Sequence, residues 1–195
     1  MPPVGASRDE APKAPRADAQ RNTALVLAAA RRAVAAHGLT VSYHEIARLA
    51  GVGVGTVYRR FPERDQLMGA VLIDILDELI CEANQALDNP DAWAGFRNLF
   101  TLLALRTGEN AGLSDSLDER GGPQVAQRRS RLLELLRRAT LRAQQAHVLR
   151  DDVAWHDIPF LAQGATSAVC VLGLHAGPLQ AQQAVTVILD GLRRS

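Results

Sequence analysis

The stretch SYHEIARLAGVGVGTVYRRF, Ser42 to Phe61, decides how this chain folds. Ser42 followed by Glu45 forms a capping box, in which the hydroxyl takes an orphan backbone N–H and the carboxylate reaches back. The helix that follows presents Ile46, Leu49 and Ala50 inward and stops at Gly51, where a missing Cβ tolerates positive φ. Val52 is a hydrophobic turn residue. A second helix runs from about Val54 to Phe61, and Pro62 blocks its continuation. Two short helices around a tight turn meet the demands of a helix-turn-helix: the first braces against a DNA backbone and the second lies in the major groove. Ile46, Ala47, Ala50, Val52 and Val57 are the residues expected to pack the pair together.

The exposed chemistry of the second helix fits that role. Gly53 and Gly55 leave its N-terminus bare, so backbone N–H groups can approach a phosphate at the positive helix end. Thr56, Tyr58, Arg59 and Arg60 supply hydroxyl donors and guanidinium forks, which phosphates and guanine edges accept. Arg64, just past Pro62, adds a further phosphate donor. Ser42, His44 and Arg48 on the bracing helix complete the candidate DNA-contact set, although His44 and Arg48 read equally well as solvated surface.

Outward from the motif the pattern is helical throughout. Met1 to Ala17 carries Pro2, Pro3, Pro12 and Pro15 among small and charged residues and reads as a disordered arm. A helix is predicted from an Asp18 N-cap through Leu25, Ala29, Ala33 and Ala36 to a stop at Gly38. Downstream, helices are predicted over Leu67 to Leu87, Asp91 to Arg106 and Gln124 to Ala146, then from about Asp157 to Leu174 and from Pro178 to Arg194. The segment from Gly108 to Gly122 is loop-rich, with room for one short helix. No β-run with turn chemistry and no internal repeat occurs. The expected architecture is all-α: an arm at 1–17, a three-helix DNA-binding domain at 18–65, and a larger helical ligand-binding and dimerisation domain at 66–195.

Composition agrees. Aromatics make up only 4%, so the core must be built from Ala, Leu and Val, a mix that favours helices. Up to Asp65 ten Lys or Arg face six Asp or Glu, and the remainder has twelve against fifteen, so a basic front end precedes an acidic back end. Arginine supplies 21 of the 22 basic residues, which a GC-rich genome explains as well as any DNA role. No apolar run is long enough for a membrane span, and no signal-peptide core precedes the motif, so a cytoplasmic protein is expected. Cys81 and Cys170 sit in apolar helical patterns and read as buried free thiols of a reducing compartment.

Enzyme chemistry finds little support. His37, His44, His147, His156 and His175 have no metal-ligand spacing with one another or with the cysteines. Gly-rich phosphate loops, nucleophile elbows and zincin motifs are lacking. Asp151, Asp152, His156 and Asp157 are better explained by helix capping and solvation than by a metal, and no cofactor is implied.

The motif resembles the N-terminal domain of the TetR family of transcriptional regulators. The matching residues are Ile46-Ala47, Ala50-Gly51-Val52, Gly55-Thr56, Tyr58, Phe61-Pro62, basic Arg64 and Leu67, with Ala28 to Gly38 similar to the family's first helix. The segment Leu141 to Asp152 is similar to one common in ligand domains of the family. Gly53 stands where the family often has a Ser cap, and Val54 where Lys, Arg or Pro is frequent, so any base contact at Val54 would be apolar. Arg60 replaces a usual His or Tyr and keeps a phosphate donor. The resemblance implies a cytoplasmic bacterial repressor that binds a pseudo-palindromic operator as a dimer and is released by a small molecule. It further implies dimerisation through the last two helices, about 157–194, and an effector pocket among the middle helices. Phe96, Phe100, Leu103, Trp155, Gln163, Thr166 and Cys170 are the candidate pocket residues, with ordinary core as the competing reading of the aromatics. An activator, or a helical ligand-binding protein whose helix-turn-helix no longer binds DNA, remains open at this point.

Overall fold

The computed structural model describes residues 15–37, 40–109, 122–166, 170–171 and 174–194. Eight α-helices are described: α1 (Pro15–His37), α2 (Tyr43–Ala50), α3 (Val54–Arg60), α4 (Arg64–Asp88), α5 (Ala92–Glu109), α6 (Gly122–Gln145), α7 (Ile158–Gly164) and α8 (Pro178–Leu192). A 3-10 turn at Trp155–Asp157 leads into α7, and two-residue strands β1 (Cys170–Val171) and β2 (Leu174–His175) pair antiparallel before α8. The all-α architecture is as expected.

Sequence chemistry accounts for most boundaries. α1 begins at Pro15, three residues before the expected Asp18 cap, which therefore lies in its first turn. Proline is well placed at a helix start because its missing N–H is not needed there. The expected Gly38 stop and residues 1–14 of the arm lie outside the described residues. Asp91 caps α5, its Oδ1 accepting from the backbone N–H of Trp93 at 2.9 Å and of Ala94 at 3.0 Å. α6 ends without glycine: His147 takes φ 56°, and the N–H groups of Val148 and His147 bond back to Ala143 and Gln144 in a Schellman arrangement.

Two expectations fail. The helix predicted to run to Leu174 stops at Gly164, and the described residues beyond it include the β1–β2 pair. Gly164 destabilises a helix interior, and β-branched Thr166 and Val171 favour extended backbone over continuation. Cys81 is free but exposed, not buried. The Cys170 side chain, like residues 110–121, 167–169 and 172–173, lies outside what is described.

A continuous core runs from the N-terminal helices into the C-terminal ones. α4 is its spine, burying Leu67, Val71, Ile75, Leu79, Ala83 and Ala86 among others, and it packs against α1, α5 and α6. The α4–α5 crossing is close: a Cβ on Gly95 would stand 2.5 Å from the Ala86 carbonyl oxygen. That carbonyl also accepts from Arg142 Nη1 of α6 at 3.0 Å, and Arg142 Nη2 donates to the Asn89 carbonyl. Arg142 thus satisfies the orphan carbonyls at the end of α4. Arg128, also on α6, pairs with Asp77 of α4 at 2.7 Å.

Candidate nucleic-acid interface

The helix-turn-helix is built as its residues dictate. Ser42 is the N-cap of α2, its Oγ accepting from the Glu45 N–H at 3.2 Å. Glu45 also takes both Nε and Nη2 of Arg48, at 3.0 and 2.7 Å, so the arginine is splayed along the outer face of α2. Gly51 sits at φ 68°, where any side chain would be strained. The N–H groups of Val52 and Gly51 bond back to the Ala47 and Arg48 carbonyls, closing a Schellman turn. Ile46, Ala47, Ala50 and Val57 are buried between the helices and Val52 is half-buried.

Of the seven residues of α3, only Val57 is fully buried. Gly53 is the N-cap, without a side-chain bond, and no atom lies within 4 Å of where a Cβ on Gly53 or Gly55 would stand. The end of this helix is therefore open to close approach by another molecule. Tyr58 is 50% exposed, Arg59 and Arg60 are exposed, and Ser42, His44 and Arg48 are exposed on α2. Thr56 is half-buried in a groove shared with Asn22 and Thr23 of α1, Arg59 and Arg60. Val54 is half-buried and packs on the core, which leaves only part of its surface for contact. Arg64 Nη1 donates to the Val41 carbonyl at 2.7 Å, so its guanidinium helps brace the segment before α2.

Two residues of this surface were not singled out from the sequence. Tyr43 is buried; its hydroxyl donates to the Phe61 carbonyl at 3.0 Å, and its ring lies 4.7 Å from that of Tyr58, centroid to centroid. It thereby holds both the last turn of α3 and the exposed tyrosine. Burial pushes its phenol above the ordinary tyrosine range, so the hydroxyl keeps its proton at neutral pH. Thr23, on α1, accepts from Arg60 Nε at 3.2 Å while donating to the Ala19 carbonyl at 2.8 Å. An aromatic one residue after a helix cap gave a faint signal for Tyr43; Thr23 lies 37 residues from Arg60, and no local pattern reveals the pairing.

The candidate effector residues are dispersed. Phe96, Phe100 and Leu103 are buried in the core, with Trp93, Phe96 and Phe100 in successive ring contact at 6.1 and 6.2 Å. Trp155 is half-buried against His156, and Gln163 is exposed. Among the candidates whose side chains are described, Thr166 alone lines a cavity of about 590 Å³ bounded by α1, α5, the end of α7 and the start of α8. Ala35, Leu105, Glu109, Gln180 and Ala181 share that cavity. Among the described residues no group of three His, Cys, Asp or Glu is placed to hold a metal ion. Asp157 instead caps the 3-10 turn, while Asp152 and Asp151 pair with Arg150 and Arg194.

Comparison with known proteins decides what this surface belongs to. Residues 26–71 match the sequence profile described as bacterial regulatory proteins, tetR family. The chain is 31% identical to a TetR transcription regulatory protein of Mycobacterium vanbaalenii, over 91% of this chain and 98% of that one, with a TM-score of 0.67. The chain belongs to the TetR family. It is therefore a DNA-binding transcription regulator and not an enzyme. The TetR regulator SCO0520 of Streptomyces coelicolor is 26% identical, covers 89% of this chain and 99% of its own, and has a TM-score of 0.69. A TetR-family regulator of Marinobacter aquaeolei, at 20% identity, 92% and 100% coverage and a TM-score of 0.55, shares the fold. No curated protein matches the chain. No described helix of this TetR-family chain is long and apolar enough to cross a membrane.

Proposed function

We propose that this TetR-family regulator is a cytoplasmic repressor whose dimer binds a pseudo-palindromic operator and is released by a small molecule. The observation that carries this reading is the exposed face of α3, where Gly53, Gly55, Tyr58 and Arg59 stand clear on a helix anchored by the buried Val57. Residues 18–65 form the reading head and 66–195 the effector and dimer domain, with the divide in the first turn of α4. Base and phosphate contacts fall to Tyr58, Arg59, Thr56 and the bare N-terminal turn, and phosphate contacts to Arg60, Ser42, His44 and Arg48.

Dimerisation through about 157–194 is supported by the apolar side chains that one chain leaves in water there. Phe160 is 73%, Leu179 69% and Val187 69% exposed, a load that a second copy would cover. The effector reading rests on the 590 Å³ cavity, which Ala35 of α1 and Leu105 of α5 both reach, so an occupant would touch the reading head directly. Release requires that the occupant prefer the geometry that does not fit DNA.

Fluorescence anisotropy on DNA from upstream of the chain's own reading frame, across a salt series, tests the first claim. Binding should weaken steeply with salt, and the Tyr58→Phe, Arg59→Ala double variant should lose affinity and part of the salt slope. Full affinity and an unchanged slope in that variant would show that α3 is not the reading element. Two half-sites about 34 to 36 Å apart are expected in the footprint.

A further inference from the structure

A second cleft, remote from α3, lies between α5 and α8. Trp93, Arg97 and Thr101 follow one another at four-residue spacing along one face of α5. Gln182, Thr186 and Arg193 line the facing side of α8 and its C-cap, and the cleft has a volume of about 380 Å³. Its floor is apolar and fixed: Trp93, Val185 and Leu189 are all buried.

The charge at its mouth is unbalanced. Several arginines of this chain are matched to carboxylates, as in Arg31–Glu78, Arg106–Glu109, Arg128–Asp77 and Arg194–Asp151. Among the described residues neither Arg97 nor Arg193 pairs with an acid. Arg193 instead lies over the Trp93 ring, 5.4 Å from its centroid. That contact holds the guanidinium at the cleft by cation–π attraction and leaves its N–H edge available. Asp190 also lines the cleft, so two guanidinium groups face one carboxylate and the surplus is one positive charge. The hydroxyls of Thr101 and Thr186 already donate to the Arg97 and Gln182 carbonyls, at 2.8 and 3.0 Å, so the arginines are the strong donors present.

The geometry points to a binding site for a small organic monocarboxylate with an apolar body, held by Arg97 and Arg193 over the Trp93–Val185–Leu189 floor. A monoanion balances the surplus charge, and guanidinium forks match a carboxylate. The apolar body replaces water over the buried floor. The site is separate from the cavity at α1 and stands whether or not that cavity binds an effector.

Isothermal titration calorimetry with benzoate as the probe tests it, alongside benzamide as the neutral isostere. Benzoate should bind saturably at one site per chain, with benzamide weaker by about tenfold or more, the loss of a charge-assisted bond. Arg97→Gln and Arg193→Gln should each weaken benzoate by about the same factor with the circular dichroism unchanged. Arg97 is exposed and lies in mid-helix on α5, away from the C-terminal cap, so its variant remains informative if Arg193→Gln disturbs that cap. The absence of saturable heat, equal affinity for benzamide, or full benzoate affinity in Arg97→Gln would overturn the assignment.

Discussion

Replacing Gly95 by alanine should destabilise the protein, although helix propensity alone predicts the reverse. In an unobstructed helix interior the change gains about 1 kcal/mol, because glycine loses more backbone freedom on folding. Here the new Cβ would stand 2.5 Å from the Ala86 oxygen, 3.1 Å from its Cα and 3.2 Å from its carbonyl carbon. Those are backbone atoms of α4, so no rotamer change relieves the clash and the two helices must separate by several tenths of an ångström or more. Overpacking of this kind costs about 1–3 kcal/mol. The displaced carbonyl is also the acceptor of Arg142 Nη1, and stretching that bond adds to the cost. The net expectation is a loss of about 1–2 kcal/mol, or roughly 2–8 °C in Tm for a chain of this size. Gly69 in α4 is the internal control, because nothing lies within 4 Å of its added Cβ; Gly69→Ala should raise Tm by up to a few degrees, for about 0.5–1 kcal/mol. Both are measured by thermal unfolding at one fixed protein concentration, since a dimer's Tm depends on it. If Gly95→Ala raised Tm as Gly69→Ala does, the close α4–α5 crossing would be wrong.

Two further predictions concern the reading head and its attachment. Tyr43→Phe keeps the ring against Tyr58 but removes the bond to the Phe61 carbonyl; it should cost about 1 kcal/mol of stability and weaken operator binding a few-fold with the salt slope unchanged, as anisotropy and urea unfolding will report. Glu78 of α4 joins Arg31 of α1 to Arg106 of α5. Burial raises its carboxyl, but hydrogen bonds from Arg106 and Arg31 outweigh that and hold it below the ordinary range. A folded-state value below the unfolded one contributes stability that is fully present above the ordinary carboxylate range and is lost as pH falls through the depressed value. Glu78→Gln should therefore lower stability at pH 7 by about 1 kcal/mol, read from urea unfolding, since a third of the side chain is in water, and flatten the acid limb; parallel wild-type and variant pH profiles would refute this.

What could be read from the sequence is what short-range chemistry encodes. Ser42, Gly51 and Pro62 act through backbone groups within a few residues, so the helix-turn-helix was legible to within a residue at each end. Cys81 was misplaced for a reason that finer periodicity would have caught. The buried stripe of α4 passes through Leu72, Ile75, Leu76, Leu79 and Ala83, and Cys81, two residues past Leu79, falls about 200° from it on a helix turning 100° per residue. For Phe96 and Phe100 the sequence left pocket lining and ordinary core both open, because either use calls for a large apolar side chain. A chain with few large side chains places them where helices of Ala and Leu leave the most space to fill, and both are buried.

The long-range contacts of α1 were not legible, because each depends on helix pairs meeting at one depth. Thr23 on Arg60, Arg31 on Glu78 and Ala35 at the cavity wall all lie on α1, and all three partners are remote in sequence. One helix thus supports the DNA-facing arginine at its beginning, a buried-edge ion pair in its middle and the effector cavity near its end. A shift of α1 along its axis cannot alter one of these without straining the other two. On the proposed function, that places the mechanical link between cavity and operator in α1. Thr23→Val should then weaken operator binding and leave the 590 Å³ cavity unchanged, whereas Ala35→Leu, which fills the cavity from the α1 side, should alter operator affinity without touching the DNA face. Operator affinity indifferent to Ala35→Leu in a folded dimer would break the link.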